Sequence, residues 1–145
     1  MKASLLRGVG FITLLSIAIH TAPAFASDPA ALIQLAANNA CVRCDLSGAS
    51  FAHEKLNSVN LSKANLTNAD FYFADLTDAT LASADLTGAK MEGANLTGAD
   101  LRSATLNLGA LKLSTVCRTI MPDDKISMRD CPDDNPYEDT NPIQP

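Results

Sequence analysis

From residue 44 to residue 113 a large apolar side chain recurs at every fifth position. Cut into fives from Cys44, the chain reads CDLSG, ASFAH, EKLNS, VNLSK, ANLTN, ADFYF, ADLTD, ATLAS, ADLTG, AKMEG, ANLTG, ADLRS, ATLNL, GALKL. The third position is Leu, Phe or Met in all fourteen units, the first is Ala in ten, and the second is mostly Asp or Asn. A period of five fits neither common element. On an α-helix, steps of about 100° would leave leucines five apart smeared around the surface. On a strand an odd period sends successive leucines to opposite faces, and Ala, Asp, Asn and Gly are poor strand formers. The pattern is satisfied if the chain turns a corner every five residues. Four sides then close a coil of twenty, with the third position inward, a small first position also inward, and the other three facing water. Stacked coils would pair as parallel strands about 4.8 Å apart, each burying its core only against its neighbours. Counting by twenty puts Phe51, Phe71, Met91 and Leu111 in one interior column and Leu46, Leu66, Leu86 and Leu106 in the next.

These units match the motif A(D/N)LXX, and the chain resembles the pentapeptide repeat family over this stretch. The resemblance implies an all-β fold, a right-handed quadrilateral β-helix running over residues 44–116. It also implies a protein without catalytic activity, because the repeats of this family specify shape rather than chemistry.

The flanks differ in kind. Residues 1–26 have the make-up of a secretory signal peptide: Lys2 and Arg7, the apolar run Val9 to Ile19, and Ala24-Phe25-Ala26 as an A-x-A cleavage site. The run is shorter than a spanning helix requires, although a retained membrane anchor is the alternative. Ser27-Asp28-Pro29 is a helix start. It predicts a short helix over residues 30–38 carrying Leu32, Ile33 and Leu35, within an N-terminal cap of residues 27–43 that covers the open end of the solenoid. The repeat pattern breaks at Cys117. Residues 117–131 resemble the C-terminal cap of secreted, cyanobacterial or thylakoid-lumenal members of the family, and that resemblance implies a Cys117–Cys131 disulfide. Asp124 stands where those relatives have Gly. Residues 132–145 are rich in Pro and Asp and poor in large apolar residues, the composition of a disordered acidic tail.

Charge narrows the partners. The whole chain carries −5 at neutral pH. Cleavage after Ala26 leaves nine basic against sixteen acidic residues, which disfavours nucleic acid and anionic membrane. An acidic surface is also a weak likeness to the DNA-mimicking members of the family, which bind topoisomerases.

Few residues invite chemistry. Cys41-Val42-Arg43-Cys44 is a CxxC, open to three readings: a thiol-redox pair, half a metal site, or a local disulfide sealing the N-terminal edge. The βαβ setting of a redox site is missing, and His53 is the one histidine beyond residue 26. Cys41 falls in a third-position slot and Cys44 in a first-position slot, which favours the structural reading. Glu54 takes an inward slot, where a lone carboxylate is costly to bury. His53 has no evident serine and carboxylate partners for a triad, and no phosphate-binding loop is present. No cofactor and no metal is expected. The outward columns His53–Phe73–Gly93–Leu113 and Ala52–Tyr72–Glu92–Lys112 stand out, because they place aromatic and apolar side chains on a polar surface. His53, Tyr72, Phe73, Lys112 and Leu113 therefore form a candidate patch for a protein partner, unless the cap or tail covers it.

The expectation is an exported scaffold of the periplasm or thylakoid lumen, a monomer or end-to-end dimer, with no stable membrane insertion of the mature chain. A topoisomerase-binding DNA mimic and a thiol oxidoreductase are the alternatives.

Overall fold

The computed structural model describes residues 28–132. The expected signal peptide and all but the first residue of the expected tail lie outside them. Helix α1, Pro29–Asn38, opens the described chain. Asp28 caps it by accepting from the Ala30 N–H at 2.9 Å, and Pro29 stands in the first turn, where its missing N–H costs nothing. Asn39 ends it in the left-handed conformation. Ala31 and Leu35 are buried, whereas Ile33 is 71% exposed. A single turn-to-turn stripe of α1 suffices to cover one end of the coil, and Ile33 lies off it.

Beyond Asn39 the chain coils with a register of twenty. Parallel one-residue bridges link Ala40 to Asn60, Asp45 to Asn65, Ser50 to Asp70, and so on to Asp100 with Ile120. Little continuous strand forms, because each side pairs through one residue before turning a corner. The corner is made at the fifth position. Gly48, His53, Ser58, Lys63, Asn68, Phe73, Asp78, Ser83, Gly88, Gly93, Gly98 and Ser103 all have φ between 53° and 72°.

The five N–H groups of the unit that starts at Ala64 each have a partner, which explains the preference for Asp or Asn at the second position. In the unit that starts at Ala64, Ala64 N–H bonds back across the corner to the Leu61 carbonyl at 3.1 Å, and Asn65 N–H to the Cys44 carbonyl of the coil before at 2.8 Å. Leu66 and Asn68 donate to the coil after, at the Asp85 and Thr87 carbonyls, 2.8 and 2.9 Å. The fourth N–H, of Thr67, has no carbonyl and donates instead to the Asn65 side chain at 3.1 Å. The same bond recurs from Thr77 to Asp75, Thr87 to Asp85, Thr97 to Asn95 and Arg102 to Asp100. An orphan N–H at each corner would otherwise weigh against the fold.

The core is the interior of the coil. Every third-position residue from Leu46 to Leu101 is buried, as are the first-position alanines from Ala49 to Ala104. Phe51 and Phe71 stack with centroids 5.2 Å apart. Glu54 is half-buried at the inward slot of the first full coil. The regularity fails at residues 106–111. Leu106 is only partly buried, and Leu108–Leu111 form a 3-10 helix with Gly109 exposed. The expected fourth members of two columns therefore part: Leu111 is buried and Leu106 is not fully covered.

The coil does not stop at Cys117. Ser114 and Thr119 occupy the small inward slots of two further units, their hydroxyls donating to the Met91 and Leu96 carbonyls, both at 2.6 Å. Val116 fills the third position between them. The chain then folds back as an antiparallel pair, β1 Thr119–Ile120 with β2 Ile126–Ser127. Arg129 fastens the end: its Nη2 donates to the Leu111 and Ser114 carbonyls at 2.6 and 2.8 Å. Cys117 and Cys131 are joined by a disulfide, with Cα atoms 4.7 Å apart.

Candidate functional site

Unit ADFYF turns one corner of the coil with two aromatic rings. Phe71 points inward and is fully buried, Tyr72 and Phe73 point out, and their exposures are 42% and 55%. Asp70 positions the pair by accepting the Tyr72 N–H at 3.0 Å. Tyr72 and Phe73 meet edge to face, centroids 4.6 Å apart at 81°. His53, one coil earlier, lies nearly parallel to Phe73 at 5.8 Å and 9°, and edge-on to Tyr72 at 5.6 Å. The three rings make one cluster that presents both faces and edges to solvent.

Two features fix its geometry. Phe73 and His53 take fifth-position corners with φ of 53° and 63°, a conformation that disfavours bulky side chains by about 1 kcal/mol each. Gly93 stands directly after Phe73 in the same column. A Cβ there would come within 2.8 Å of the Phe73 ring carbons, so only glycine lets the ring lie over the next corner. The sequence places Gly93 in the column of Phe73 without giving it a role, and Asp70 is the residue of the site that it does not single out. The signals were a glycine twenty residues after Phe73 and an aspartate two before Tyr72.

Of the remaining members of the expected patch, Leu113 is 72% exposed and Lys112 is exposed after the 3-10 helix. Their link to the rings runs through backbone: Gly93 donates to the Leu113 carbonyl at 2.9 Å, and Phe73 to the Glu92 carbonyl at 3.0 Å. The structure thus brings His53, Tyr72 and Phe73 together and sets Lys112 and Leu113 at the end of their columns.

Cys41 and Cys44 are disulfide-bonded, Cα atoms 5.4 Å apart. Cys41 is completely buried, with its sulfur 3.2 Å from the Ala31 carbonyl of α1. It fills the last third-position slot below Leu61 and ties α1 to the first coil. Among the described residues no group of three or more His, Cys, Asp or Glu side chains could hold a metal, and no helix is long and apolar enough to cross a membrane.

The Asp side chains of the corners are electrostatically distinct. Asp45 and Asp85 are held below the usual carboxylate range by hydrogen bonds from the hydroxyls and then the N–H groups of Ser47 and Thr87. Asp100 is lowered by the Arg102 side chain, whose Nη2 lies 2.6 Å away.

Comparison with known proteins agrees with the register. The pentapeptide repeats family matches in 8 copies at residues 44–82 and 81–111. Solved structures that resemble the chain include HetL of Nostoc sp. strain PCC 7120, a pentapeptide repeat protein involved in heterocyst differentiation regulation. HetL is 31% identical over 61% of this chain and 43% of its own, with a TM-score of 0.36. A second pentapeptide repeat protein of Nostoc PCC 7120 is 28% identical over 64% of this chain and 74% of its own, TM-score 0.49. A pentapeptide repeat protein of the Arabidopsis thaliana thylakoid lumen is 26% identical over 58% and 59%, TM-score 0.23. The chain spans less than half the length of HetL. No curated protein matches it. The five-residue units, the twenty-residue bridges and the family match coincide on the same residues, and residues 44–111 carry the repeats of the pentapeptide repeat family.

Proposed function

We propose that this protein is a non-catalytic, exported scaffold, a right-handed quadrilateral rod whose Tyr72–Phe73 corner recruits a protein partner. The observation that carries the reading is Phe73. A phenylalanine occupies a left-handed corner that Gly, Asn or Asp would fill without strain, and it leaves its ring 55% exposed. Strain of this kind persists where something other than folding selects the residue. Exposed aromatic clusters are the usual anchors of an interface, and the other left-handed corners from Gly48 to Ser103 are small or polar. Export to the periplasm or thylakoid lumen is supported by the make-up of residues 1–26 and by the pairing of all four cysteines, which suits an oxidising compartment. The complete burial of Cys41 speaks against a working thiol pair, because a redox site needs a reachable sulfur.

The test is capture of partners from the native compartment. Tyr72→Ala with Phe73→Ser is expected to abolish capture with the fold intact, and changes at Ser62, Ser83 and Arg102 to leave it unaltered. Equal capture by both sets would remove the aromatic corner from the proposal. Finding the mature chain in the cytoplasm would favour the topoisomerase-binding alternative.

A further inference from the structure

The coil leaves one of its last sides unpaired. The side made by residues 99–103 pairs in the manner of the earlier coils: Leu101 and Ser103 donate to the Ile120 and Pro122 carbonyls at 2.8 and 3.2 Å, and Ile120 donates back to the Ala99 carbonyl at 2.9 Å. By the register of twenty, the next side, residues 104–108, should meet Lys125 and Ser127. It does not. Lys125 turns its N–H to the Asp123 side chain at 3.3 Å and its carbonyl to the Met121 N–H at 2.7 Å, while Ile126 and Ser127 pair with Ile120 and Thr119 as β2. The ladder that climbs through Asp45, Asn65 and Asp85 therefore ends at Thr105. Among the described residues, the Ala104 carbonyl and the Leu106 and Leu108 N–H groups have no hydrogen-bond partner.

Ala104, Leu106 and Leu108 form one wall of an open groove of about 450 Å³, with Met121, Pro122 and Ile126 among its other residues. Leu106 is partly buried, whereas Leu46, Leu66 and Leu86 of its column are fully covered. Leu108 and Ile126 stand 59% and 62% exposed. A vacant strand edge beside apolar side chains is a template for an extended chain. We propose that this edge binds an extended segment of a partner polypeptide, laid parallel to residues 104–108 as an added side of the coil.

The edge itself selects this occupant. One carbonyl and two N–H groups in strand register call for backbone, which a lipid chain or a small apolar molecule does not offer. The rod shows their complement one coil earlier. There the Ala64 carbonyl and the Leu66 and Asn68 N–H groups meet the Asp85 N–H, the Asp85 carbonyl and the Thr87 carbonyl, at 3.0, 2.8 and 2.9 Å. Ala84 and Leu86 of the same unit are buried in the columns of Ala64 and Leu66. The segment that fits residues 104–108 is therefore small at its first residue, apolar at its third and polar at its second and fourth. Asp123 and Lys125 line the groove and pair with each other at 2.9 Å, so the site sets no demand on the charge of the segment.

NMR of the full, isotopically labelled chain tests this, with a synthetic peptide of the sequence of residues 82–90 as the probe. The expected result is a saturable shift of the Leu106 and Leu108 amides and the Ile126 methyl groups, with slowed exchange of both N–H groups. The Tyr72 and Phe73 signals should stay in place. Two altered peptides separate backbone from side chain. A methyl group on the backbone nitrogen of the peptide's Asp85 removes the donor to Ala104, and Leu86→Ser in the peptide removes the apolar residue. Each should weaken binding by about tenfold or more. No shift at millimolar peptide would overturn the proposal. Equal binding of the N-methylated peptide would overturn it as well, since the groove would then take apolar matter without pairing. So would shifts centred on Phe73, which would put the segment on the aromatic corner. Leu106 and Leu108 amides already protected before peptide is added would also overturn it: protection that fades on dilution would assign the edge to a second copy, and protection that persists would assign it to this chain.

Discussion

Each residue in a unit answers to a different constraint, so substitutions separate cleanly. The third position answers to burial. Leu81 is fully buried and Ser83 is an exposed corner. Leu81→Lys should unfold the rod, since an unpaired buried ammonium costs several kcal/mol against a net stability of about 5–15 kcal/mol. Ser83→Lys should leave the melting curve in place, as Lys63 already occupies such a corner. Equal melting temperatures would refute the inward and outward assignment. The fifth position answers to backbone conformation, and there Phe73 is the exception. Phe73→Asn relieves a left-handed phenylalanine worth about 1 kcal/mol and gives up ring contacts worth about 0.5–1.5 kcal/mol. The melting temperature should stay within a few degrees while partner capture is lost. A steep fall in melting temperature would mean that the ring serves folding rather than contact.

At the scale of elements, the sides of the coil were legible in the sequence and its ends were less so. Leucine at every fifth position announces a buried column directly, and Cys41 could be placed in it by counting backwards. The coil is legible to residue 116 but not beyond Cys117, because Thr119, like Ser114, replaces alanine with a hydroxyl, and a hydroxyl reads as surface until its carbonyl partner is known. The 3-10 turn at Leu108–Leu111 was hidden for the opposite reason: GALKL keeps the apolar period while the Asn107 side chain caps the turn by accepting the Gly109 N–H. At the site, the rings were legible as exposed aromatics. The role of Gly93 was not, since it depends on which neighbour leans over the missing Cβ. The C-terminal end of the coil carries its own prediction. The Cys117–Cys131 bond closes a short loop, sequence separation 14, and such a loop contributes about 3 kcal/mol. Replacing both cysteines by serine should lower the melting temperature by on the order of 10 °C or more for a domain of this size. Peptide mapping of the protein from its native compartment under non-reducing conditions should recover the two residues in one linked fragment.

The molecule as a whole is a stack whose sides share the same polar corners, and its response to acid follows. Asp45, Asp85, Asp100 and Asp130 have carboxyls lowered in the folded chain by hydrogen bonds from Ser47, Thr87, Arg102 and Arg129. A lowered folded value contributes stability that is fully present above the unfolded value, about 3.9, and is lost as pH falls through the folded one. Thermal melts should be flat from neutral pH to about 5 and decline below about 4. A melting temperature that rises on acidification would contradict the assignment. The twenty-residue register carries a last consequence, for length. A rod built this way has a phase as well as a height. Deleting residues 74–93 removes one full coil and leaves every later side above the side it stood on before, so both ends keep their bearing about the axis. Deleting residues 84–88 alone also keeps leucines inward, but it advances everything downstream by one corner, and Phe71 then stacks under Leu96 instead of Met91. Chains of this design are therefore free to change size in steps of five where only the core matters, and in steps of twenty where two faces must stay aligned.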